Sequence, residues 1–225
     1  MNKFKSILTT IALTCVIATG CSCVDGKILP DPKAENSFYG EQFGVDANIN
    51  METIDKYLEL KGVVYRDMRM LKDPIEYGDM PGGDADLSGF IKGFEVIPFP
   101  YIAPVEAPEG VGGAAYNGPT LFSKNSNGKY VANYVESMDI LETIFPKDKV
   151  IFVMCGGGGY AGMTRDLLVE LGWNAKKVYN IGGYWSYAGK NSVSTVLRTE
   201  SDQTRIYDFS IVPYHAIDFS VLTEK

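Results

Sequence analysis

The residues best suited to do chemistry are Cys155 and the glycines that follow it. An apolar run from Val150 to Met154 ends in Cys155, and then come Gly156, Gly157, Gly158, Gly159, Tyr160 and Ala161. Large and β-branched apolar residues in succession predict a buried strand. Leu167, Leu168 and Leu171 then recur at helical spacing up to a terminating Gly172. A cysteine on such a strand-to-helix turn lies among backbone N–H groups that the first helical turn leaves without partners. Those donors and the helix dipole favour an anion, so they are expected to depress the thiol pKa. Glycines let the backbone curl round the sulfur without Cβ clashes, as an anion-binding nest requires. The competing reading makes Cys155 a small buried apolar residue at a strand end, the commoner fate of a free cysteine. Four consecutive glycines are superfluous to that role and favour a nucleophile.

A loop of this kind needs a sheet to present it and helices to cover that sheet. Asn50 is placed to cap a helix carrying Ile54, Tyr57 and Leu58, closed by Gly62. Val63, Val64 and Tyr65 predict a strand running into Asp67, Met68 and Arg69. Ser137 is placed to cap a second helix with Met138, Leu141, Ile144 and Phe145 on its apolar face. The strand at 150–154 and a helix over 162–171 follow, and Val178–Ile181 predicts a further strand before Gly182, Gly183 and Trp185. Strands alternating with helices of about ten residues predict an α/β fold with a mainly parallel central sheet of about five strands flanked by helices. Ligands are then expected at the carboxyl ends of the strands.

With 225 residues, 45% of them apolar and 22% charged, the chain can form one well-buried domain. Residues 1–20 stand apart. Lys3 and Lys5 precede an apolar run from Ile7 to Ala18 that is too short to span a bilayer and suits a signal peptide. Ala18, Thr19, Gly20 and Cys21 resemble the lipobox of bacterial lipoproteins. That resemblance implies an extracytoplasmic protein anchored to a bacterial membrane by lipid at Cys21, with plain secretion as the alternative. Residues 21–47, rich in Pro, Gly, Asp and Asn without apolar period, read as a tether. Loss of Lys3 and Lys5 takes the formal charge from −7 to −9, which leaves no electrostatic footprint for nucleic acid. The mature chain keeps Cys21, Cys23 and Cys155, and with Cys21 lipidated no disulfide framework is available to the fold.

Over 48–192 the chain resembles a rhodanese-type domain. Asp67 and Arg69 match that family's Asp-x-Arg after an early strand. Gly78, Asp79, Met80, Pro81, Gly82 and Gly83 are similar to its Gly-His-Ile-Pro-Gly-Ala turn, with aspartate for histidine, and Val96, Ile97 and Pro98 to its Asn-Ile-Pro strand. Cys155 corresponds to its nucleophile, and Gly182, Gly183, Trp185 and Gly189 to its late Gly-Gly…Trp…Gly. The resemblance implies sulfane-sulfur transfer through a persulfide on Cys155, between a sulfur donor and a thiol acceptor, with no resident cofactor. The loop departs from the pattern in having no cation, since Tyr160 stands where an arginine would meet an anionic donor. Losing a charge-assisted contact costs about 1.5–3 kcal/mol. Thiosulfate is therefore not expected to be the natural donor, and a catalytically weak or inactive, fold-retaining binding module at the cell surface is the second reading. A Cys-x5-Arg phosphatase is disfavoured, because position 161 is Ala161.

Two segments fall outside the family pattern. The insertion at 99–136 contains Asn127-Gly128 between apolar runs, a strong hairpin signal. The extension at 193–225 alternates polar and apolar residues over 206–212 and 216–222, which predicts a β strand pair round Pro213, Tyr214 and His215. His215, the only histidine, is expected on the surface or in packing, not as a base for Cys155. Asp84, Asp86, Ser88 and Glu95 fit the spacing of a calcium loop, but Pro81, Gly93 and Pro98 deny it EF-hand helices. Ca2+ binding and a plain acidic connection both remain open there.

Overall fold

A computed structural model describes residues 22–34, 44–70, 89–106, 116–199, 205–207 and 211–225, with backbone alone at 196–199 and 205–207. At its centre β3 (Val63–Asp67), β5 (Glu95–Val96), β8 (Val150–Cys155) and β9 (Val178–Gly183) form one parallel sheet in the order β5-β3-β8-β9. The fold is thus α/β with a parallel sheet, which among the described residues has four strands against the about five expected. Beyond β5 lies the carboxy-terminal segment. Val96 donates its N–H to Pro213 at 2.7 Å and accepts from His215 N–H at 2.9 Å. Pro213 has no N–H to extend a ladder, so the contact stays a single bridge.

Every residue of β8 is buried, as a central parallel strand requires. Alternate side chains serve two cores: Ile151, Val153 and Cys155 face one, and Val150, Phe152 and Met154 the other. The first core is roofed by three helices, α1 (Phe99–Ile102), α2 (Ser137–Ile144) and α3 (Gly159–Glu170). Hairpin β6 (Phe122–Lys124) and β7 (Tyr130–Ala132) packs on the same side. Its turn holds Gly128 at φ +71°, and Asn125 Oδ1 accepts the N–H groups of Asn127 and Lys129. Ser137 does not cap α2. Its hydroxyl donates to the Leu121 carbonyl at 2.8 Å and accepts from Tyr134 N–H, tying the helix to the hairpin.

The second core is closed largely without helices. The segment expected as an Asn50-capped helix makes only a 3-10 turn, Ile54–Lys56. The Tyr65 hydroxyl donates to the Tyr57 carbonyl at 2.7 Å and accepts the Leu60 N–H, diverting groups that would have continued a helical ladder. Part of the expected tether is also folded. β1 (Ser22–Val24) and β2 (Lys27–Leu29) form an antiparallel hairpin that buries Val24 and Leu29 against this core, and Asp46 donates its N–H to Asn180. Three apolar residues in the short span 24–29 make no visible period, yet two of them are enough to dock it.

The carboxy-terminal pair differs from expectation as well. β4 (Gly89–Ile91) pairs with β10 (Ser192–Ser194), and β11 (Val196–Thr199) pairs with β12 (Arg205–Tyr207). Residues 216–222 form no strand. The Asp218 carboxylate takes the Ser220 N–H at 3.0 Å and bends the chain into a 3-10 turn, Phe219–Val221.

Candidate functional site

Cys155 ends β8, so its side chain lies at the carboxyl edge of the sheet between α3 and β9, only 4% exposed. Gly158 adopts φ +103°, which turns its N–H onto the Cys155 Sγ at 3.0 Å and starts α3 one residue later. Gly159 is therefore the first residue of the helix, which begins three residues ahead of the predicted start. The N–H groups of Gly157 and Ala161 act on the same sulfur.

Two loop carbonyls are tied away from the sulfur. Gly156 O accepts from Trp185 N–H at 3.1 Å, and Gly158 O from Asn180 Nδ2 at 3.1 Å and Gly162 N–H at 3.0 Å. Asn180 is buried in β9 and also accepts the Gly182 N–H. Its role was not apparent in the sequence, where it is one polar residue inside an apolar strand; a buried asparagine there was the available signal. Gly183 sits so close that an added Cβ would lie 2.0 Å from Gly156 O and 2.4 Å from Gly157 Cα. Val45 packs against Gly158 and Gly182 from the other side. A cleft of about 420 Å3 runs between Asn50, Met51, Gly157, Gly182 and Ser186.

The expected depression of the thiol pKa is not found. Burial pushes the Cys155 thiol up, the N–H groups of Ala161, Gly158 and Gly157 pull it down by less, and the charge of Asp67 adds to the rise. Arg69 does not offset this. Its guanidinium is wholly buried on the Asp67 carboxylate, with Nη2 at 2.6 Å, donates to Gly89 O at 2.7 Å and lies 4.5 Å from the Tyr184 ring centre. Asp67 and Arg69 thus form a buried pair that clamps β3 to β4 beneath the loop.

Tyr160, half-exposed, leans on Phe99 of α1 with ring centres 5.9 Å apart. Trp185 reaches the loop through its backbone N–H, and the residue is 65% exposed. The buried indole belongs to Trp173, whose Nε1–H reaches Phe145 O at 2.6 Å. His215 donates to or accepts from Glu95 at 2.6 Å beyond β5, three strand spacings or about 14 Å from β8, too far to act as its base. Glu95 also pairs with Arg66 at 2.8 Å. Asp84, Asp86 and Ser88 lie outside the described residues, as does Cys21. Among the described residues no three acidic, His or Cys side chains gather to hold a metal, and no helix is long and apolar enough to cross a membrane. Set against known proteins, the chain matches no family model, no curated protein and no solved structure.

Proposed function

We propose that the chain is a rhodanese-like sulfur carrier, extracytoplasmic and held to a membrane by lipid at Cys21, that takes and passes sulfane sulfur on Cys155. The observation that carries this is the ring of N–H groups from Gly157, Gly158 and Ala161 around the sulfur, with two loop carbonyls tied outward. A persulfide has an anionic terminal sulfur that such donors suit. The Cys155 sulfur attacks the outer sulfur of a donor RSSH, the donor S–S bond breaks, and the leaving thiolate takes the proton as RSH. A thiolate acceptor then attacks the terminal sulfur and frees Cys155. With Tyr160 in place of a cation, neutral or weakly charged persulfides and polysulfides are favoured over thiosulfate. Intact-mass analysis of freshly isolated protein tests this: a gain of one sulfur, lost on reduction and absent in Cys155→Ala, is expected. No adduct with any persulfide donor would end it.

A specific observation favours the second reading, a fold-retaining binding module. The Cys155 thiol is buried and shifted toward its neutral form. Alkylation kinetics separate the two, because a module whose thiol has no chemical role would resist iodoacetamide in the presence and absence of persulfide donors alike.

A further inference from the structure

Ser22, next to Cys21, is already held in β1, so no linker separates the residue read as lipidated from the folded domain. Adjacent Cα atoms are only about 3.8 Å apart. Within the hairpin, Val24 and Leu29 point inward, whereas Cys23 and Ile28, opposite one another in the register, face out and Ile28 is 66% exposed. The hairpin stands at the amino ends of the parallel strands, where Ser22 and Asp25 share a shallow cleft with Lys61, Lys149 and Lys177. Lys27 flanks the turn, and Lys176 lies beside Ser22, whose hydroxyl donates to its carbonyl. Of these lysines, Lys149 pairs with Asp148 at 3.4 Å and Lys176 with Asp31 at 3.1 Å, while Lys61 and Lys177 make no carboxylate pair among the described residues. Five lysines, Lys27, Lys61, Lys149, Lys176 and Lys177, thus stand against three carboxylates, Asp25, Asp31 and Asp148, at the end of the fold where the lipid would emerge, with Ile28 exposed on the same hairpin.

We infer that this face, β1–β2 with Lys61, Lys149 and Lys177, rests directly on an anionic phospholipid surface and turns Cys155 to the aqueous side. The inference rests on the lipidation of Cys21 proposed above. Acyl chains on residue 21 bring the hairpin to the headgroup layer, where Ile28 enters the interface and the lysines meet lipid phosphates. Val150 and Cys155 stand at opposite ends of β8, about 17 Å apart at strand rise. That exceeds the Debye length of about 8 Å at physiological salt, so the site lies beyond the surface potential and serves soluble donors and acceptors.

The test uses the full-length lipidated protein in phosphatidylglycerol–phosphatidylcholine vesicles with brominated acyl chains. Trp185, held beside the loop by its N–H bond to Gly156, is the native reporter; Trp173, whose ring lies under Lys147 just ahead of β8 and so toward the hairpin's end of the sheet, is replaced by Phe throughout. Fluorescence of this Trp173→Phe protein should be unquenched, and Ile28→Trp in it should add emission that bromine quenches. Lys61→Gln with Lys177→Gln should lower the docked-to-undocked ratio roughly thirtyfold, and the quenching with it. Pure phosphatidylcholine should do the same to the Ile28→Trp protein. Absence of extra quenching in Ile28→Trp, or equal quenching of Trp185 in the Trp173→Phe protein, overturns the inference. So does protection of Lys61 and Lys177 from amine reagents in cells without quenching on vesicles, which would assign the face to a protein partner. Intact mass of the amino-terminal peptide and vesicle flotation show separately whether Cys21 carries lipid, so failure of the anchor and failure of the docking face are told apart.

Discussion

Asn180, on the strand beside the one that ends in Cys155, donates its Nδ2–H to the carbonyl of Gly158 at 3.1 Å. The same glycine donates its N–H to the cysteine sulfur. One buried amide thus holds the peptide that follows Gly158, next to the one whose N–H meets the thiol. Asn180→Ala removes it and leaves the Gly182 N–H unpaired, at a cost of about 1–3 kcal/mol. Urea denaturation should show a midpoint lowered accordingly, with the alkylation rate of Cys155 altered at unchanged secondary structure. A variant with wild-type stability and reactivity would remove Asn180 from the site.

Gly183→Ala offers a second test of how tightly the loop is seated. An alanine Cβ would lie 2.0 Å from Gly156 O, which is backbone and cannot rotate away. The loop must therefore shift, as overpacking does, with a loss of about 1–3 kcal/mol. Persulfide loading on Cys155 should fall more than the melting temperature alone accounts for. Equal loading in variant and wild type would show that the close approach is incidental.

The raised thiol pKa has a definite sign in pH experiments. Burial favours the neutral thiol in the folded protein, while the unfolded chain ionises at about 8.5. Stability from this group is complete below that value and declines as pH rises from it through the higher folded pKa. Iodoacetamide reactivity should accordingly rise with pH along a curve displaced to the alkaline side of a free thiol. Asp67→Asn, by removing the carboxylate that adds to the rise, should move the curve back toward neutral pH. It also leaves Arg69 without its buried partner, at a cost of about 3–5 kcal/mol, so folding is checked by circular dichroism in the same samples. A profile centred below the free-thiol value in the wild type would contradict the burial account.

The strand, glycine loop and helix around Cys155 were legible because each leaves a local mark: an apolar run, a cluster without Cβ atoms, and leucines at helical spacing. Gly172, predicted as the helix terminator, does adopt φ +99°. What stayed hidden depends on partners distant in sequence. The turn at Ile54–Lys56 stops because of the Tyr65 hydroxyl, and the segment after Pro213 is bound by Val96. Arg69 could be named but its electrostatic effect could not, since only the fold shows its charge enclosed by Asp67. The thiol pKa fails for the same reason. Backbone donors are implied by a helix start, whereas burial of the sulfur is decided by Asn180, Gly183 and the packing of Val45 on Gly158.

Tyr160→Arg tests the donor preference. Tyr160 is half-exposed in the first turn of α3, leaning on Phe99, so an arginine can extend from the same backbone without displacing a buried ring. Its guanidinium would supply the cation that the loop lacks and meet an anionic donor through paired N–H groups. A charge-assisted contact of about 1.5–3 kcal/mol corresponds to roughly ten- to a hundredfold in kcat/KM for thiosulfate. The same cation favours thiolate over thiol at Cys155, so the alkylation profile should shift toward lower pH. Glutathione persulfide, whose reacting sulfur needs no such clamp, should gain less. The measurement is the ratio of the two donors' rates in variant and wild type, with Cys155→Ala as blank. An unchanged ratio would mean that charge at position 160 does not select the donor, and the preference for weakly charged sulfur compounds would have to be given up.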